Sequence, residues 1–254
     1  LKALAADTLS QSLGRQVTVL GDVSITPWLA LSISRLRVAD DPAFGPGPLL
    51  EAARTTVSIR LLPLFARVVS PGAVRVQGLL LHLRRDASGR ANWDDLIGSL
   101  GQATSAPSGW QVLPQPRDIR ITQAAIDYRD ARTGETWTVT DGRLSTGLGQ
   151  PFKFTVFFRS RGMVGAGELE CHAQGGASLD PETGRLSLRQ VQLNAGLTFP
   201  EAVVAGGASP VSVSGRADLN YDPGTDSLEV SGLEARVPGA ILRGSARVAD
   251  PVGA

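Results

Sequence analysis

Cysteine is nearly absent from this sequence. Cys171 is the only one in 254 residues, so no intrachain disulfide can form, and the residue is silent about compartment because many exported proteins lack disulfides too. Histidine is almost as scarce, with His82 and His172 far apart in the chain. A zinc site takes three or four Cys, His, Asp or Glu ligands; no such cluster appears, and neither metal nor cofactor is expected. An excess of one charge is also missing. Lys plus Arg number 25 against 24 Asp plus Glu, a net charge of +1, which argues against nucleic acid as a partner because displacing counterions needs a basic excess. Aromatic residues are 5% of the total, thin for a compact enzyme. No run of 18 apolar residues occurs, which excludes a membrane-spanning helix within the sequence. The chain begins at Leu1 rather than Met, from which we expect a segment removed upstream.

What is present is glycine and proline, 29 and 16 residues, a level suited to many turns between short strands. Leu1, Leu4, Ala5, Leu9 and Leu13 fall on one helical face, and Gly14 suits the position just past a helix end, so a helix is expected to Leu13. Beyond it the period is two. An eight-residue pattern then recurs, h-x-h-x-x-h-x-h with h apolar or small. It is carried by Leu31, Ile33, Leu36 and Val38; by Val74, Val76, Leu79 and Leu81; by Ile119, Ile121, Ala124 and Ile126; by Leu186, Leu188, Val191 and Leu193; and by Leu228, Val230, Leu233 and Ala235. Side chains alternate between the two faces of a strand. The extra residue in the middle would send the second half to the wrong face unless a β-bulge restored the phase. The pattern therefore predicts five bulged or bent strands, apolar on one face, in a sheet that curls. Chance alternation in a sandwich is the plainer alternative.

Turn signals separate the strands: DDPAFGPGP, RDASGR, DARTG, DPETG and DPGTD. Asp-Pro and Gly make tight turns, so the expected architecture is mostly β, an elongated, curled antiparallel sheet forming a groove, with a short N-terminal helix and one or two more short helices. Residues 99–117, rich in Ser, Gly, Pro and Gln, read as a linker or loop. They divide an N-terminal region, 1–98, from a β-meander repeat region, 118–254, that continues the groove.

Two stretches carry candidate chemistry. In GRANWDDL, 89–96, Asn92 can cap a helix and Asp95 falls where it would complete a variant capping box. Trp93 and Leu96 would then pack on the sheet. A catalytic role for Asp94 or Asp95 needs a partner base, nucleophile or metal, and none is nearby in sequence. Cys171 and His172 are adjacent on a strand and should point to opposite faces. The glycine-rich MVGAG at 163–167 has no following helix to bind phosphate. QPFKFTVFF, 150–158, places Phe152, Phe154, Val156 and Phe158 on one face: either a core strand or a greasy surface for an acyl chain. With Val74, Val76, Leu79, Leu81 and Leu83, and with Leu186, Leu188, Val191 and Leu193, they are the candidate lining of one shared trough.

GRANWDDL also carries a resemblance. The chain resembles the AsmA family of bacterial envelope proteins over most of its length. The matching segments are GRQVTVLGDVSI at 14–25, PWLALSISRLRV at 27–38, LLPLFARVV at 61–69, VRVQGLLLHLRRD at 74–86, the Asn-Trp segment, and IRITQAAIDYRDARTGE at 119–135. The resemblance implies the soluble part of a periplasmic protein of a Gram-negative bacterium, tethered to the inner membrane by a helix upstream of Leu1. Through the related chorein-type bridge proteins it implies a trough that binds phospholipid acyl chains and supports lipid transport between the membranes and outer-membrane homeostasis. It also implies contacts with outer-membrane or periplasmic proteins; a module assisting outer-membrane protein assembly is the alternative function. Both are non-enzymatic.

Overall fold

The computed structural model describes residues 2–26, 30–60, 68–69, 71–99, 111–112, 118–147, 152–163, 167–180, 183–198, 211–225 and 227–249. The segments 27–29, 61–67 and 164–166, and most of 99–117, lie outside the described residues. The chain is mostly β, in ladders that are largely antiparallel, with two short α-helices among the described residues, and it divides into two compact units, residues 1–136 and 137–254.

In the first unit helix α1 (Lys2–Leu13) ends at Gly14, whose φ of +65° is the left-handed conformation expected there. Strands β1 (Val17–Val19) and β2 (Val23–Ile25) both pair with β3 (Ala30–Ala39), which pairs with β4 (Pro48–Ile59), which pairs with β6 (Pro71–Arg85). Two short strands, β5 (Val68–Val69) and β7 (Gln111–Val112), pair with each other. The step from β6 to β8 (Asp118–Asp130) departs from the expected meander: the two strands are parallel. A parallel neighbour needs a crossover of a dozen or more residues, and residues 86–117, including helix α2 (Asp94–Ser99), supply it. The second unit is a plain antiparallel succession: β9 (Thr136–Thr146), whose first residue closes the preceding unit, β10 (Phe152–Arg161), β11 (Glu168–Leu179), β12 (Leu186–Thr198), β13 (Val211–Asp222), β14 (Ser227–Val237) and β15 (Ala240–Ala249).

The repeat is structural. In each of the five repeats the fifth residue has a left-handed backbone: Arg35 (φ 49°), Gly78 (63°), Gln123 (55°), Gln190 (51°) and Gly232 (60°). A sixth case, Asp141 (55°) in β9, lies within Trp137, Val139, Gly142 and Leu144, where glycine in an apolar place hides the pattern. In the second unit the ladder shows two residues facing one at these points. Asp141 and Gly142 face Phe158, Arg189 and Gln190 face Asp218, and Ser231 and Gly232 face Ser245. That is the definition of a bulge. In the first unit the interruption is shared by neighbours: Ser34 pairs with Arg54 and Leu36 with Ala52, Arg54 with Gln77 and Ala52 with Leu79, so Arg35, Ala53 and Gly78 form one row of kinks.

A left-handed backbone costs a non-glycine residue roughly 1–2 kcal/mol. Gln190 is exposed, and what it contributes is its backbone N–H, which donates to Asp218 Oδ1 at 2.6 Å. Gln190→Gly keeps that bond, so it is expected to raise stability by about 1 kcal/mol in a urea titration.

The turns close through aspartate, as their sequences suggest. Asp41 accepts from Ala43 N, Asp86 from Ser88 N, Asp130 from Arg132 N, and Asp222 from Gly224 N, each a side chain bonding its own backbone two residues on.

Candidate functional site

Cross-strand rows of apolar side chains run along one face of each unit. In the first, Val17 pairs with Val38, Val38 with Leu50, Leu50 with Leu81, and Leu81 with Ile126; a second row runs Leu31, Val57, Val74, Ile119. In the second, Phe152, Ala177, Leu188, Leu219, Val230 and Ala246 form one row, and Leu144, Val156, Ala173, Leu193, Gly215, Ala235 and Leu242 another. Val74, Val76, Leu79, Leu81 and Leu83 are all half-buried on β6, Phe152, Phe154, Val156 and Phe158 half-buried on β10, and Leu186 and Leu188 half-buried on β12; Val191 is buried and Leu193 exposed. The structure also adds apolar positions that the repeat did not flag, among them Leu50 and Val57 on β4, where Thr55 occupies an apolar place in the same spacing.

Among the described residues the only large side chain fully withdrawn from solvent is polar, Asn92. No Leu, Phe or Trp is. The substantial packing within the second unit is between neighbouring strands, with no second layer over the apolar face among the described residues. Phe154 shows how this face is built: it stands opposite Gly175, and a side chain at Gly175 would meet its ring carbon Cε1 at 3.1 Å.

The opposite face is a lattice of ion pairs. Arg159 bridges Asp141 (3.3 Å) and Glu170 (2.9 Å), Arg161 pairs with Glu168, and Glu234 gathers Arg216 (3.0 Å), Arg236 (3.0 Å) and Arg243 (3.4 Å). A shallow hollow of ≈ 450 Å³ lies among Thr138, Asp141, Arg159, Arg161, Glu168 and Glu170, but its arginines already have carboxylate partners. Cys171 is buried opposite Phe158 while His172 is exposed, so the pair is split across the sheet, and burial pushes the Cys171 thiol up.

The Asn-Trp segment is built differently from the expected helix cap. Asn92 Oδ1 accepts from Arg84 N (2.9 Å) and Nδ2 donates to Asp40 Oδ1 and Oδ2 (2.9 Å each) and to His82 O (2.9 Å). Its side chain thus fastens the segment to β6 and to the end of β3 rather than capping α2. Asp94 does the local bonding, accepting from Ala91 N at 2.8 Å. Asp95 does not complete a capping box: it receives Arg15 Nε (2.8 Å) and Nη2 (2.5 Å). Arg15 reaches on to Asp40 Oδ1 (3.4 Å) and to Asn92 O (2.7 Å). Trp93 is half-buried, its ring centroid 6.2 Å from that of Tyr128, and Leu96 is half-buried.

Several carboxyls are held below their ordinary range: Asp95 by the Arg15 guanidinium, Asp86 by the Ser88 hydroxyl, Glu234 by Arg236 and Arg216. A folded value depressed below the unfolded one gives stability that is present above the unfolded value of about 4 and lost as pH falls through the folded value. Thermal melting is expected to be flat near neutrality and to fall progressively below about pH 4.

Among the described residues no group of three His, Cys, Asp or Glu is arranged to hold a metal ion, and no helix is long and apolar enough to cross a membrane. No curated protein matches the sequence. A family model does: it covers residues 1–235, and the chain belongs to the AsmA family.

Proposed function

We propose that the chain is a non-enzymatic lipid-binding scaffold of the periplasm, the soluble part of a protein anchored to the inner membrane by a preceding helix. It supports phospholipid movement between the inner and outer membranes and the homeostasis of the outer one. The observation that carries this reading is the apolar face of the second unit, most of whose side chains stay half-buried with no second layer over them among the described residues; on β6 of the first unit Val74, Val76, Leu79, Leu81 and Leu83 are half-buried likewise. Burying a CH₂ group stabilises by about 0.8 kcal/mol, so an acyl chain laid on such a face gains what a second sheet would otherwise supply, and its head group stays in water. No covalent step is required.

The test is phospholipid retention by the purified chain, read by native mass spectrometry. Leu81→Glu and Phe154→Glu place a charge on the apolar face of each unit. Each is expected to lower bound phospholipid at least tenfold while the protein stays folded, because the positions are half-buried. Arg75→Glu, on the exposed opposite face, is expected to leave it unchanged. Folded apolar-face variants that keep lipid at the wild-type level would assign these residues to an ordinary core instead.

A second reading, help in outer-membrane protein assembly, is favoured by one observation. Among the described residues strand β15 pairs with β14 on one side only, and it carries the two most exposed large apolar side chains, Ile241 (55%) and Leu242 (57%). A bare edge can accept a further strand. Capture of unfolded barrel peptides by lipid-free protein would support it.

A further inference from the structure

The apolar row on β6 ends in a cation. Strand alternation puts Leu79, Leu81, Leu83 and Arg85 on one face, and in the parallel register Leu83 lies beside Tyr128 and Arg85 beside Asp130 on β8. Arg85 is 7% exposed. Its Nε is buried without a hydrogen-bond partner, and among the described residues its guanidinium forms no ion pair. The other arginines around it are engaged: Arg84 donates to Phe44 O, Arg90 pairs with Asp41, Arg129 with Asp127, and Arg15 with Asp40 and Asp95. A buried N–H without an acceptor is costly, so the Arg85 Nε left in that state is accounted for by an acceptor from outside.

Asp130 is not that partner. Its Oδ1 accepts from Arg132 N and Thr133 N and its Oδ2 from the Tyr128 hydroxyl (3.4 Å). It stands beside Arg85 in the register without accepting from its Nε. What fits there is an acceptor of several oxygens carrying a single negative charge, which describes a phosphodiester better than a dianionic phosphate monoester. We infer that Arg85 is the headgroup contact of the first unit, holding the phosphodiester of a phospholipid whose acyl chains lie against the apolar row ending at Leu83. Arginine matches phosphate oxygens with two parallel N–H bonds, which a lysine cannot do.

This inference rests on the lipid-binding reading, and one titration separates the two. Lipid-free full chain is titrated with phosphatidylglycerol, with diacylglycerol of the same acyl chains, and with inorganic phosphate, and complexes are counted by native mass spectrometry. Phosphatidylglycerol is expected to bind at least tenfold more tightly than diacylglycerol, and inorganic phosphate not measurably. Arg85→Gln is expected to erase that preference while leaving diacylglycerol binding unchanged, and Arg85→Lys to restore only part of it. Equal binding of the two lipids by the wild-type chain overturns the role of Arg85 and leaves the lipid reading standing. Binding of neither lipid overturns both. Inorganic phosphate bound as tightly as the phospholipid makes Arg85 an anion site independent of lipid. If Arg85→Gln fails to fold, the wild-type preference and the Arg85→Lys variant decide the matter.

Discussion

Asn92→Ala is expected to destabilise the first unit by about 3–5 kcal/mol, the range for breaking a buried, charged hydrogen-bond network. The residue is 0% exposed, and its amide makes four hydrogen bonds to three residues, Arg84 and His82 on β6 and Asp40 just past β3. Truncation orphans the N–H of Arg84, the carbonyl of His82 and, most costly, one side of the Asp40 carboxylate, whose side chain is also 0% exposed. Arg15 alone would then neutralise Asp40, at 3.4 Å. The isosteric Asn92→Asp separates shape from bonding. It keeps the volume but sets a second carboxylate against Asp40 and an acceptor against His82 O. Two like charges in one site force one pKa upward. The folded state then takes up a proton more readily than the unfolded chain, so this variant should gain stability as pH falls from about 7 to 5, where the wild type is flat. Urea titrations at both pH values check this. An Asn92→Ala protein as stable as the wild type would mean that the network holds nothing together.

Gly78→Val is expected to cost about 3–5 kcal/mol, and Gly232→Val only about 1–3. Both glycines have a left-handed backbone at the fifth place of the repeat, which a β-branched residue adopts with strain. They differ in surroundings. A Cβ on Gly78 would stand 2.8 Å from the Cβ of Ala53 on β4, whereas one on Gly232 meets nothing within 4 Å. Strain is common to the two variants and overpacking belongs to the first alone, so the difference between them measures how closely β4 and β6 approach along the row of kinks. Equal losses in paired thermal melts would show that backbone conformation is the whole effect.

The bulged or bent strands were legible in the spacing. Spacing fixes phase, and phase must be restored between the two apolar pairs, so five bulged or bent strands were expected; which of the two middle residues takes the left-handed backbone, Arg35 rather than Ser34 for example, came from the structure. Asp141 was missed because Gly142 fills an apolar slot with no side chain, and β4 because Thr55 fills one with a hydroxyl. The parallel pairing of β6 with β8 was not legible, since alternation reports which face a residue takes and nothing about strand direction. The Asn92 node was hidden for another reason. Its bonds join residues 52 and 80 positions apart, Asn92 to Asp40 and Arg15 to Asp95, and a local motif resembling a capping box offered a nearer explanation. Arg85 escaped notice because an arginine at a strand end looks like any solvated charge until its burial is known.

From β11 to β15 bulged strands alternate with unbulged ones: β12 and β14 carry the extra residue, and β11, β13 and β15 each set one residue against it. The structural period is therefore a hairpin, and β14 presents to β15 the kind of edge that β12 presents to β13. A gene duplication that copied one hairpin would insert two strands whose kinks meet their neighbours in phase, with every apolar side chain still on its own side. A deletion of one hairpin would close up equally well, while a loss of a single strand would set two strands of the same kind side by side, both bulged or both unbulged, and fail. Sheet width in such a protein is open to change in steps of two strands, roughly 10 Å at a time, without any redesign of the strands that remain.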